Sequence, residues 1–397
     1  MLHNCLLFMI ESIKIQNYKS IVNLTMTLGR FNVIIGPNGC GKTNILEAIS
    51  LAGAASQDKL DNEYLANRDL RVTDSQFMIN AFEEDEDSRR EEGMKRVIGI
   101  EVTISGMPFI FNLEYEDSLK RWVNFSSSQI FRRMYAASQS PAESGESMQK
   151  LMGELAVALS KSNIDMASFT RTLQSLSSDS AELSSFLTYR PSEHFLRKTF
   201  DSTLFPLGVH GEGLLKYLKE AADKDGRELF SEVNEGLMLL DWFDGFNIPD
   251  NLMQNEYRLS IGDRYLRDSL HYFDQRSTNE GFLFLLFYLT LFNSQDTPQF
   301  FAIDNIETAM NPKLVTKLTK YLVERSRANG KQVIVTTHCP YVLDGLDLSD
   351  DEIRLFVARR DIDGHSRLER IPYRHERKME LSQLWLSGLI GGLPDNF

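Results

Sequence analysis

The chain has 397 residues, of which 42% are hydrophobic and 25% are charged, and its formal net charge is −13 at pH 7. This composition is typical of a large globular protein, and no apolar run reaches the roughly 18–20 residues that a membrane-spanning helix requires. The acidic balance does not favour a duplex-DNA binder, although a local basic stripe would not show in the average. The three cysteines have no metal-ligand spacing, which predicts reduced thiols and a cytoplasmic setting.

The N-terminal region, residues 10–53, predicts a strand, a turn, a second strand, a phosphate-binding loop and a helix. The strand Phe31–Ile35 is followed by Gly-Pro-Asn-Gly-Cys-Gly-Lys-Thr, which fits G-x-x-x-x-G-K-[ST], and by the helical run Asn44–Ala52. In this context the glycines let backbone N–H groups turn toward phosphates, and the helix adds its positive end. The residues predicted to bind nucleotide are Gly36, Pro37, Asn38, Gly39, Cys40, Gly41, Lys42, Thr43 and Asn44.

Two of these loop residues have distinct chemical roles in a phosphate site. The Lys42 ammonium would neutralise the β- and γ-phosphates, and the Thr43 hydroxyl would bind Mg²⁺. Tyr18 or Lys19, near the end of the first predicted strand, is a candidate contact for the adenine base.

The middle of the chain changes character twice. The segments 96–105 and 107–115 alternate apolar and polar residues around Ser105-Gly106, which predicts an antiparallel hairpin. Residues 127–187 are rich in Ser and Ala at helical spacing, which predicts an inserted helical hairpin. We therefore predict an N-terminal part of the main domain at 1–125, an inserted helical subdomain at 126–188 and the rest of the main domain at 189–397.

Two apolar strands in the second half end in polar residues that suit a phosphate site. The strand Gln299–Asp304 ends in a carboxylate, which in phosphate-loop ATPases holds Mg²⁺ beside the threonine of the loop. The strand Lys331–His338 ends in a histidine where the γ-phosphate would lie. Ahead of them, Tyr257–Tyr265 predicts a hairpin, and Arg276–Tyr288 predicts a polar helix cap followed by a buried helix.

This order of elements resembles the ABC-type ATPase heads of SMC, RecF-like and OLD-family proteins. The resemblance extends from Ile15-Gln-Asn-Tyr-Lys-Ser20 to the end of the chain. It implies an α/β phosphate-loop NTPase of the ABC-ATPase head type, with an antiparallel β subdomain and the inserted helical hairpin. It also implies ATP and Mg²⁺ as cofactors, with Asp304 as the Walker B acid that binds the metal together with Thr43.

The same resemblance assigns the elements that act on the γ-phosphate and on a second protomer. It makes Thr308–Asn311 the D-loop and His338 the switch histidine that senses the γ-phosphate. The run Ser277-Thr-Asn-Glu-Gly281 lies where the signature motif falls, so Ser277, Asn279 and Gly281 are expected to contact the ATP of the other protomer. A homodimer or higher assembly around ATP is therefore implied.

One position departs from the pattern of that family. The residue after the Walker B acid is normally the catalytic glutamate that polarises the attacking water, and this chain has Asn305 there. An amide cannot accept a proton, so ordinary general-base catalysis from this position is lost. Either Glu307 takes the role, or hydrolysis is slow and the ATP-bound dimer is long-lived, and the sequence leaves this choice open.

The C-terminal run Leu381–Phe397 has a narrower resemblance. It resembles the end of small stand-alone ATPases in two-gene bacterial phage-defence systems of the AbiL, PARIS and Septu types. There the ATPase is a sensor and scaffold, and the partner is a TOPRIM-like or HNH nuclease. The resemblance implies such an effector partner in antiviral defence, although the same run also fits a helix that ends at a Gly-Gly cap with Trp385 packed on the core.

Three other functions fit the sequence less well. Asp361-Ile-Asp363 has the spelling of a fused nuclease site, but it lies between two predicted strands, before Gly364, where a hairpin turn is expected. A RecF/SMC-like ATPase that binds DNA directly in repair or recombination is the alternative, and it would need a basic groove. The candidate residues for such a groove are scattered: Arg71, Lys95, Arg96, Lys120, Arg121, Arg132 and Arg133. The absent Leu-Ser-Gly-Gly-Gln spelling argues against a transporter subunit.

Overall fold

The computed structural model describes residues 9–80, 97–125, 179–200, 202–224, 227–253, 255–267, 270, 272–375 and 379–393. The chain forms two compact units. The first unit comprises Met1–Leu28, Asn38–Phe186 and Ala358–Glu369, and the second comprises Gly29–Pro37, Leu187–Val357 and Arg370–Phe397.

The described strands are β1 Ile10–Tyr18, β2 Ile21–Thr27, β3 Phe31–Ile35, β4 Ile98–Ile104, β5 Met107–Glu116, β6 Arg121–Asn124, β7 Thr188–Tyr189, β8 Phe243–Asn247, β9 Ser260–Asp263, β10 Phe300–Ile303, β11 Gln332–Thr336, β12 Ile353–Arg360 and β13 Ser366–Ile371. The described α-helices are α1 Lys42–Ser56, α2 Asn62–Ala66, α3 Ser75–Met78, α4 Asp179–Ser184, α5 Glu193–Arg197, α6 Leu214–Asp223, α7 Arg227–Leu237, α8 Glu280–Asn293, α9 Pro312–Ala328 and α10 Leu381–Leu386. A short 3₁₀ helix covers Pro340–Gly345.

The first unit contains an antiparallel sheet of five strands in the order β2-β1-β4-β5-β6. Buried and partly exposed residues alternate along β4, as expected for a sheet with one face on the core. The predicted hairpin is confirmed, because Ile104 pairs with Met107 across a two-residue turn. Ser105 and Gly106 take positive φ angles of 51° and 74° in that turn, the conformation that two-residue hairpin loops favour.

The larger sheet has six strands in the order β13-β12-β3-β11-β10-β7. Strand β3 pairs in parallel with both β11 and β12, and β10 pairs in parallel with both β11 and β7. Every residue of β3, β10 and β11 is buried, which explains why these strands are nearly continuous apolar runs. Because the strands are parallel, the carboxyl ends of β3, β10 and β11 share one edge of the sheet.

Two asparagine caps set the start of the helices that follow the predicted signature and D-loop segments. The Asn279 side chain accepts a hydrogen bond of 2.9 Å from the backbone N–H of Phe282, and α8 is buried almost throughout its length. The Asn311 side chain accepts one of 3.0 Å from Leu314, with Pro312 opening the helix. The predicted polar cap followed by a buried helix is therefore confirmed, since an amide oxygen satisfies the first orphan N–H groups.

One predicted hairpin is wrong. Tyr257–Tyr265 does not fold back on itself, because it contributes the single strand β9, which pairs antiparallel with β8. A short alternating run shows that a strand is present, but its hydrogen-bond partner depends on which other edge is available. Here that edge comes from residues Phe243–Asn247, earlier in the chain.

Most of the predicted inserted helical hairpin lies outside the described residues, which resume with α4 at Asp179. The division at 125 and 188 therefore stays a prediction. In the part of the chain that the structure describes, no helix is both long and apolar enough to cross a membrane.

Candidate nucleotide-binding site

The phosphate loop joins the end of β3 to the first residue of α1. Gly39 and Gly41 have φ angles of 77° and 104°, in the left-handed region that glycine adopts without strain. A Cβ on Gly41 would overlap the side chain of Ser366, whereas a Cβ on Gly39 would meet no atom within 4 Å. Glycine at position 41 is therefore required by both backbone conformation and packing.

A relay of side-chain hydrogen bonds holds the second half of the loop. The Asn44 amide donates to Ser20 Oγ at 2.8 Å, and Ser20 Oγ lies 2.7 Å from Ser366 Oγ. The Ser366 hydroxyl donates to the Cys40 carbonyl at 2.8 Å. Because the single hydroxyl proton of Ser366 is donated to Cys40, Ser20 must be the donor to Ser366. The hydrogen bonds therefore all point from Asn44 toward Cys40.

Two further contacts fix the same loop segment. Arg360 Nε donates to the Gly39 carbonyl at 2.8 Å. The predicted phosphate-binding Lys42 is only 6% exposed, and its ammonium lies 3.9 Å from Cys40 Sγ. Burial raises the pKa of the Cys40 thiol, and the positive charge of Lys42 opposes that rise only in part. The Cys40 side chain is therefore a neutral packing group at neutral pH.

Beside the loop lies a cleft of about 380 Å³ with a positively charged lining. Its wall includes Lys19, Ser20, Asn44, Arg71, Phe77 and Arg360. The Phe77 ring is 61% exposed and gives the cleft an aromatic face. A cleft of this size and character suits a base and a sugar next to bound phosphates.

The Glu47 carboxylate positions two of the basic groups of this cleft. Its oxygens accept hydrogen bonds of 2.6 Å from Lys19 Nζ and 2.6 Å from Arg71 Nε. Burial acts to raise the pKa of Glu47, but the hydrogen bonds and charges of Arg71 and Lys19 outweigh it, and the pKa lies below its ordinary value. Tyr18 is fully buried with its hydroxyl 3.4 Å from Glu47, so Lys19 lines the cleft and Tyr18 does not.

The second unit brings three of the predicted site residues to one sheet edge. Gly36 directly follows β3, Asp304 directly follows β10, and His338 lies just beyond the end of β11. The N–H of Thr337 donates to the carbonyl of Ile34 at 3.3 Å, which ties the end of β11 to β3. The first glycine of the loop, the proposed Walker B acid and the proposed switch histidine thus lie where parallel sheets usually bind ligands.

The Asp304 carboxylate is 8% exposed and accepts bonds on both oxygens. Its Oδ2 accepts from Arg190 Nε at 2.9 Å, and its Oδ1 accepts from the Thr336 hydroxyl. The backbone N–H of Asn305 in turn donates to Thr336 Oγ1 at 3.0 Å. Asn305 has a φ of 59°, a left-handed conformation that Asn tolerates better than Glu does.

The Glu307 carboxylate joins the turn after β10 to the end of β11. Its Oε2 accepts from the Thr337 hydroxyl at 2.7 Å, and its Oε1 accepts from the His338 backbone N–H at 2.8 Å. The side chain of His338 is exposed. Burial, reinforced by the negative charge of Glu307, raises the pKa of the Tyr288 hydroxyl well above its ordinary value, so Tyr288 remains a neutral phenol.

Arg197 binds the backbone of the predicted signature segment and of the two residues before it. Its Nη1 donates to three backbone carbonyls, at 2.8 Å to Gln275, 2.9 Å to Arg276 and 3.1 Å to Thr278. The Arg197 Nη2 also pairs with Glu193 at 2.6 Å. One guanidinium therefore fixes the main chain on both sides of Ser277.

The predicted signature residues differ in what they offer a ligand. Ser277 is exposed, while the side-chain oxygen of Asn279 is engaged as the cap of α8. A Cβ on Gly281 would lie 3.1 Å from the carbonyl oxygen of Ala309, so glycine permits a close approach to the D-loop turn. Gly281 of the predicted signature segment thus lies against Ala309 of the predicted D-loop in the same chain.

The sequence analysis missed several residues of this arrangement, namely Ser20, Arg190, Arg197, Thr336, Arg360 and Ser366. Arg190 pairs with a residue 114 positions away and Ser366 with one 326 positions away. Such partners leave no local pattern. The only available signals were the Lys19-Ser20 turn after β1 and the Tyr189-Arg-Pro run after β7, each at the carboxyl end of a strand.

Comparisons with known proteins identify the family of this chain. The family described as RecF/RecN/SMC N terminal domain matches residues 9–361. The chain belongs to this family. No curated protein sequence matches the chain.

Solved structures show where the fold of this RecF/RecN/SMC family member is found. An Smc head domain with an extended coiled coil, bound to the C-terminal domain of ScpA from Pyrococcus furiosus, is 12% identical with a TM-score of 0.51, covering 92% of this chain and 96% of that chain. The SMC head domain from Thermotoga maritima is 15% identical with a TM-score of 0.45, covering 92% and 99%. An SmcHead bound to the C-winged helix domain of ScpA is 14% identical with a TM-score of 0.47, covering 91% and 98%.

The predicted fold class, an ABC-type ATPase head, is confirmed by the likeness to the Pyrococcus furiosus Smc head domain and by the mixed α/β architecture. As a member of the RecF/RecN/SMC family with this fold, the chain is an ABC-type ATPase, and heads of this type bind ATP with Mg²⁺. The residues present fit that metal, because the Asp304 carboxylate and the Thr43 hydroxyl are the hard oxygen ligands that Mg²⁺ prefers.

Proposed function

We propose that the chain binds MgATP, self-associates around the nucleotide and hydrolyses it slowly, so that the ATP-bound assembly serves as a scaffold for an effector protein. The observation that carries this proposal is the pair Asn305 and Glu307. An amide stands where the family has its general base, and the carboxylate of Glu307, two residues further on, accepts hydrogen bonds from Thr337 and His338.

The binding half of the proposal rests on the loop and the cleft. Backbone N–H groups of the loop would hold the phosphates, Lys42 would neutralise them, and Thr43 and Asp304 would bind Mg²⁺. The bound metal supplies charge neutralisation at the β- and γ-oxygens. The positively charged cleft with Lys19, Arg71 and Phe77 offers space for the base and the ribose.

The slow-hydrolysis half rests on the chemistry of the turn after β10. Asn305 has no basic atom to accept a proton from water, which leaves Glu307 as the candidate base. Glu307 already accepts two hydrogen bonds, from Thr337 at 2.7 Å and from His338 at 2.8 Å. Both bonds hold the Glu307 side chain in place, so it would have to leave them to reach the attacking water. His338, held by the same carboxylate, would sense the γ-phosphate.

The proposed self-association rests on the predicted signature segment. Ser277 is exposed three residues before the start of α8, and Arg197 fixes the backbone around it. An exposed polar segment on a fixed backbone is suited to contact the nucleotide of a second copy. In the proposed dimer, Ser277, Asn279 and Gly281 act on the ATP of the partner protomer.

The scaffold role in antiviral defence, with a TOPRIM or HNH nuclease as partner, is supported by the resemblance of the C-terminal run. In that run Trp385 is 4% exposed, whereas Leu386 and Leu389 are 59% and 69% exposed. A Cβ on Gly392 would lie 3.6 Å from the Cα of Gly36, so the run packs against the start of the phosphate loop. The run therefore links an exposed apolar surface to the nucleotide loop, as an ATP-dependent scaffold requires.

The test is to measure ATP turnover and solution mass, with and without MgATP, for the wild type and for Lys42→Ala, Asn305→Glu and Glu307→Gln. We expect slow turnover and an ATP-dependent rise in mass for the wild type, and neither for Lys42→Ala. Asn305→Glu should speed turnover and loosen the assembly. Glu307→Gln should remain assembled but inactive if Glu307 is the base.

Two results would overturn parts of this proposal. ATP affinity retained in Lys42→Ala would reject the assigned phosphate site. Fast wild-type turnover that is unaffected by Glu307→Gln would reject slow hydrolysis through Glu307. An ATP-dependent affinity for duplex DNA in the wild type would favour the alternative function, a RecF/SMC-like ATPase that binds DNA directly.

A further inference from the structure

Arg190 and Asp304 form an ion pair at the sheet edge where Asp304 would bind Mg²⁺. Arg190 Nε lies 2.9 Å from Asp304 Oδ2, and the two side chains are 22% and 7% exposed. The pair joins the residue after β7 to the residue after β10, two strands that are adjacent and parallel. The guanidinium thus contacts the carboxylate that the family uses for the metal.

The main chain of Arg190 is held on both sides. Its N–H donates to the Val209 carbonyl at 2.7 Å, and its carbonyl accepts a hydrogen bond of 3.1 Å from Nδ1 of His210. The His210 backbone N–H is itself bound by Glu212 at 2.9 Å. Next to it, the Asp304 N–H donates to the Tyr189 carbonyl at 3.0 Å. Because the backbone of Arg190 is fixed and its guanidinium is partly exposed, the side chain can move to another partner while the main chain stays in place.

Two cations compete for one carboxylate at this place. A metal ion on Asp304 and a guanidinium 2.9 Å from the same carboxylate repel each other, and Asp304 cannot fully satisfy both. The Thr336 hydroxyl already occupies the other oxygen of Asp304. The metal would neutralise the terminal phosphates beside Asp304, so a guanidinium that left this carboxylate would lie close to the γ-phosphate. The planar guanidinium is well suited to bind phosphate oxygens in pairs.

We infer that Arg190 is the counter-ion that Asp304 exchanges for Mg²⁺, and that the displaced guanidinium binds the γ-phosphate. This inference rests on the proposed function of the site. Arg190 thereby makes nucleotide binding depend on the metal and distinguishes ATP from ADP. It is a binding residue for the terminal phosphate and a positioning residue for the metal carboxylate.

The first test measures metal binding without nucleotide. Free Mn²⁺ is followed by its paramagnetic resonance signal during titration of the wild type, Arg190→Gln, Arg190→Lys and Asp304→Asn, with Mg²⁺ as competitor. Arg190→Gln should bind the metal about tenfold more tightly than the wild type, because a charge-assisted bond to Asp304 no longer competes. Arg190→Lys should stay near the wild type, and adding Asp304→Asn to Arg190→Gln should remove the gain.

The second test measures discrimination between nucleotides by calorimetry, with a non-hydrolysable ATP analogue and ADP in the presence of Mg²⁺. The preference of the wild type for the ATP analogue should fall about tenfold in Arg190→Gln, since one charged contact to the γ-phosphate is lost. Arg370→Gln is the matched control, because Arg370 pairs with Asp351 at 3.3 Å outside the site. It should leave both measurements unchanged.

These measurements separate the inference from the proposed function. Equal metal affinity in the wild type and Arg190→Gln overturns the exchange, and an unchanged ATP preference overturns the phosphate contact. If the wild type binds no ATP analogue, the proposed function fails, while the metal titration still decides the exchange. If Arg190→Gln does not fold, Arg190→Lys decides the phosphate contact, because it keeps the charge but loses the paired geometry.

Discussion

In the phosphate loop, backbone carbonyls accept hydrogen bonds from distant side chains, with Ser366 bound to Cys40 and Arg360 bound to Gly39. At the Asp304 edge of the second unit, the acceptors are the carboxylates that would perform the chemistry. The loop can keep its supporting bonds while phosphate binds to its N–H groups. The Asp304 edge has to give up bonds before it can act. The hydrogen bonds that support the loop are thus compatible with bound phosphate. Those at the Asp304 edge would have to be exchanged when the nucleotide binds.

The largest expected effect that tests this comparison comes from the packing of the loop. Gly41→Ala should lower the free energy of unfolding by about 3 kcal/mol, because alanine is strained at this φ and its methyl group overlaps Ser366. Chemical denaturation followed by tryptophan fluorescence measures the change.

Gly39→Ala is the matched control for this substitution. Gly39 also has a positive φ, but a Cβ there meets no neighbour, so only the backbone strain of about 1 kcal/mol is expected. Equal losses of stability in the two variants would show that the overlap with Ser366 adds nothing to the cost of a methyl group at position 41.

An intermediate effect on stability is expected for Glu47, which binds two basic residues of the cleft, Lys19 and Arg71. Glu47→Gln should destabilise the protein by about 2 kcal/mol at pH 7, because Lys19 and Arg71 then lose their buried counter-charge. The pKa of Glu47 in the folded protein lies below the ordinary value of 4.5, so its stabilisation is present above that pH and is lost as the pH falls through the folded pKa.

The difference between wild type and Glu47→Gln should therefore shrink below about pH 4.5, when both are unfolded by urea across a pH series. Glu63→Gln, an exposed carboxylate on α2, is the control and should show little change. A difference that stays constant down to low pH would mean that the charge of Glu47 is not what stabilises the cluster.

The smallest expected effect on stability comes from the hydrogen bond between Thr337 and Glu307. Thr337→Val removes the hydroxyl that donates to Glu307 and should cost about 1 kcal/mol of stability. If Glu307 is the base of a slow ATPase, turnover should rise about threefold, because a hydrogen bond that holds its carboxylate at the end of β11 is gone. Steady-state phosphate release measures this.

Thr316→Val is the control, since the Thr316 hydroxyl bonds to the Tyr341 carbonyl on an exposed helix face. It should change turnover little. A fall in turnover for Thr337→Val would instead indicate that Thr337 is needed to position Glu307 or His338 for hydrolysis.

Local elements were predictable because their signals lie within a few residues. The strand β3, the loop and α1 follow from one motif, and the hairpin of β4 and β5 follows from alternation around Ser105-Gly106. The Asn279 cap follows from an amide placed before an apolar run. The partner of β9 was not predictable, since alternation identifies a strand but not the edge to which it bonds.

The sequence by itself determined that the chain has a phosphate loop, a carboxylate-ended strand, a histidine-ended strand and an amide where a general base is usual. Those features are properties of residue type and spacing. Only the tertiary structure decided that Arg190 contacts Asp304, that Glu307 bonds to Thr337 and His338, and that Ser366 closes the relay to Cys40. These contacts join residues from 30 to 326 positions apart, so they arise only when the strands assemble.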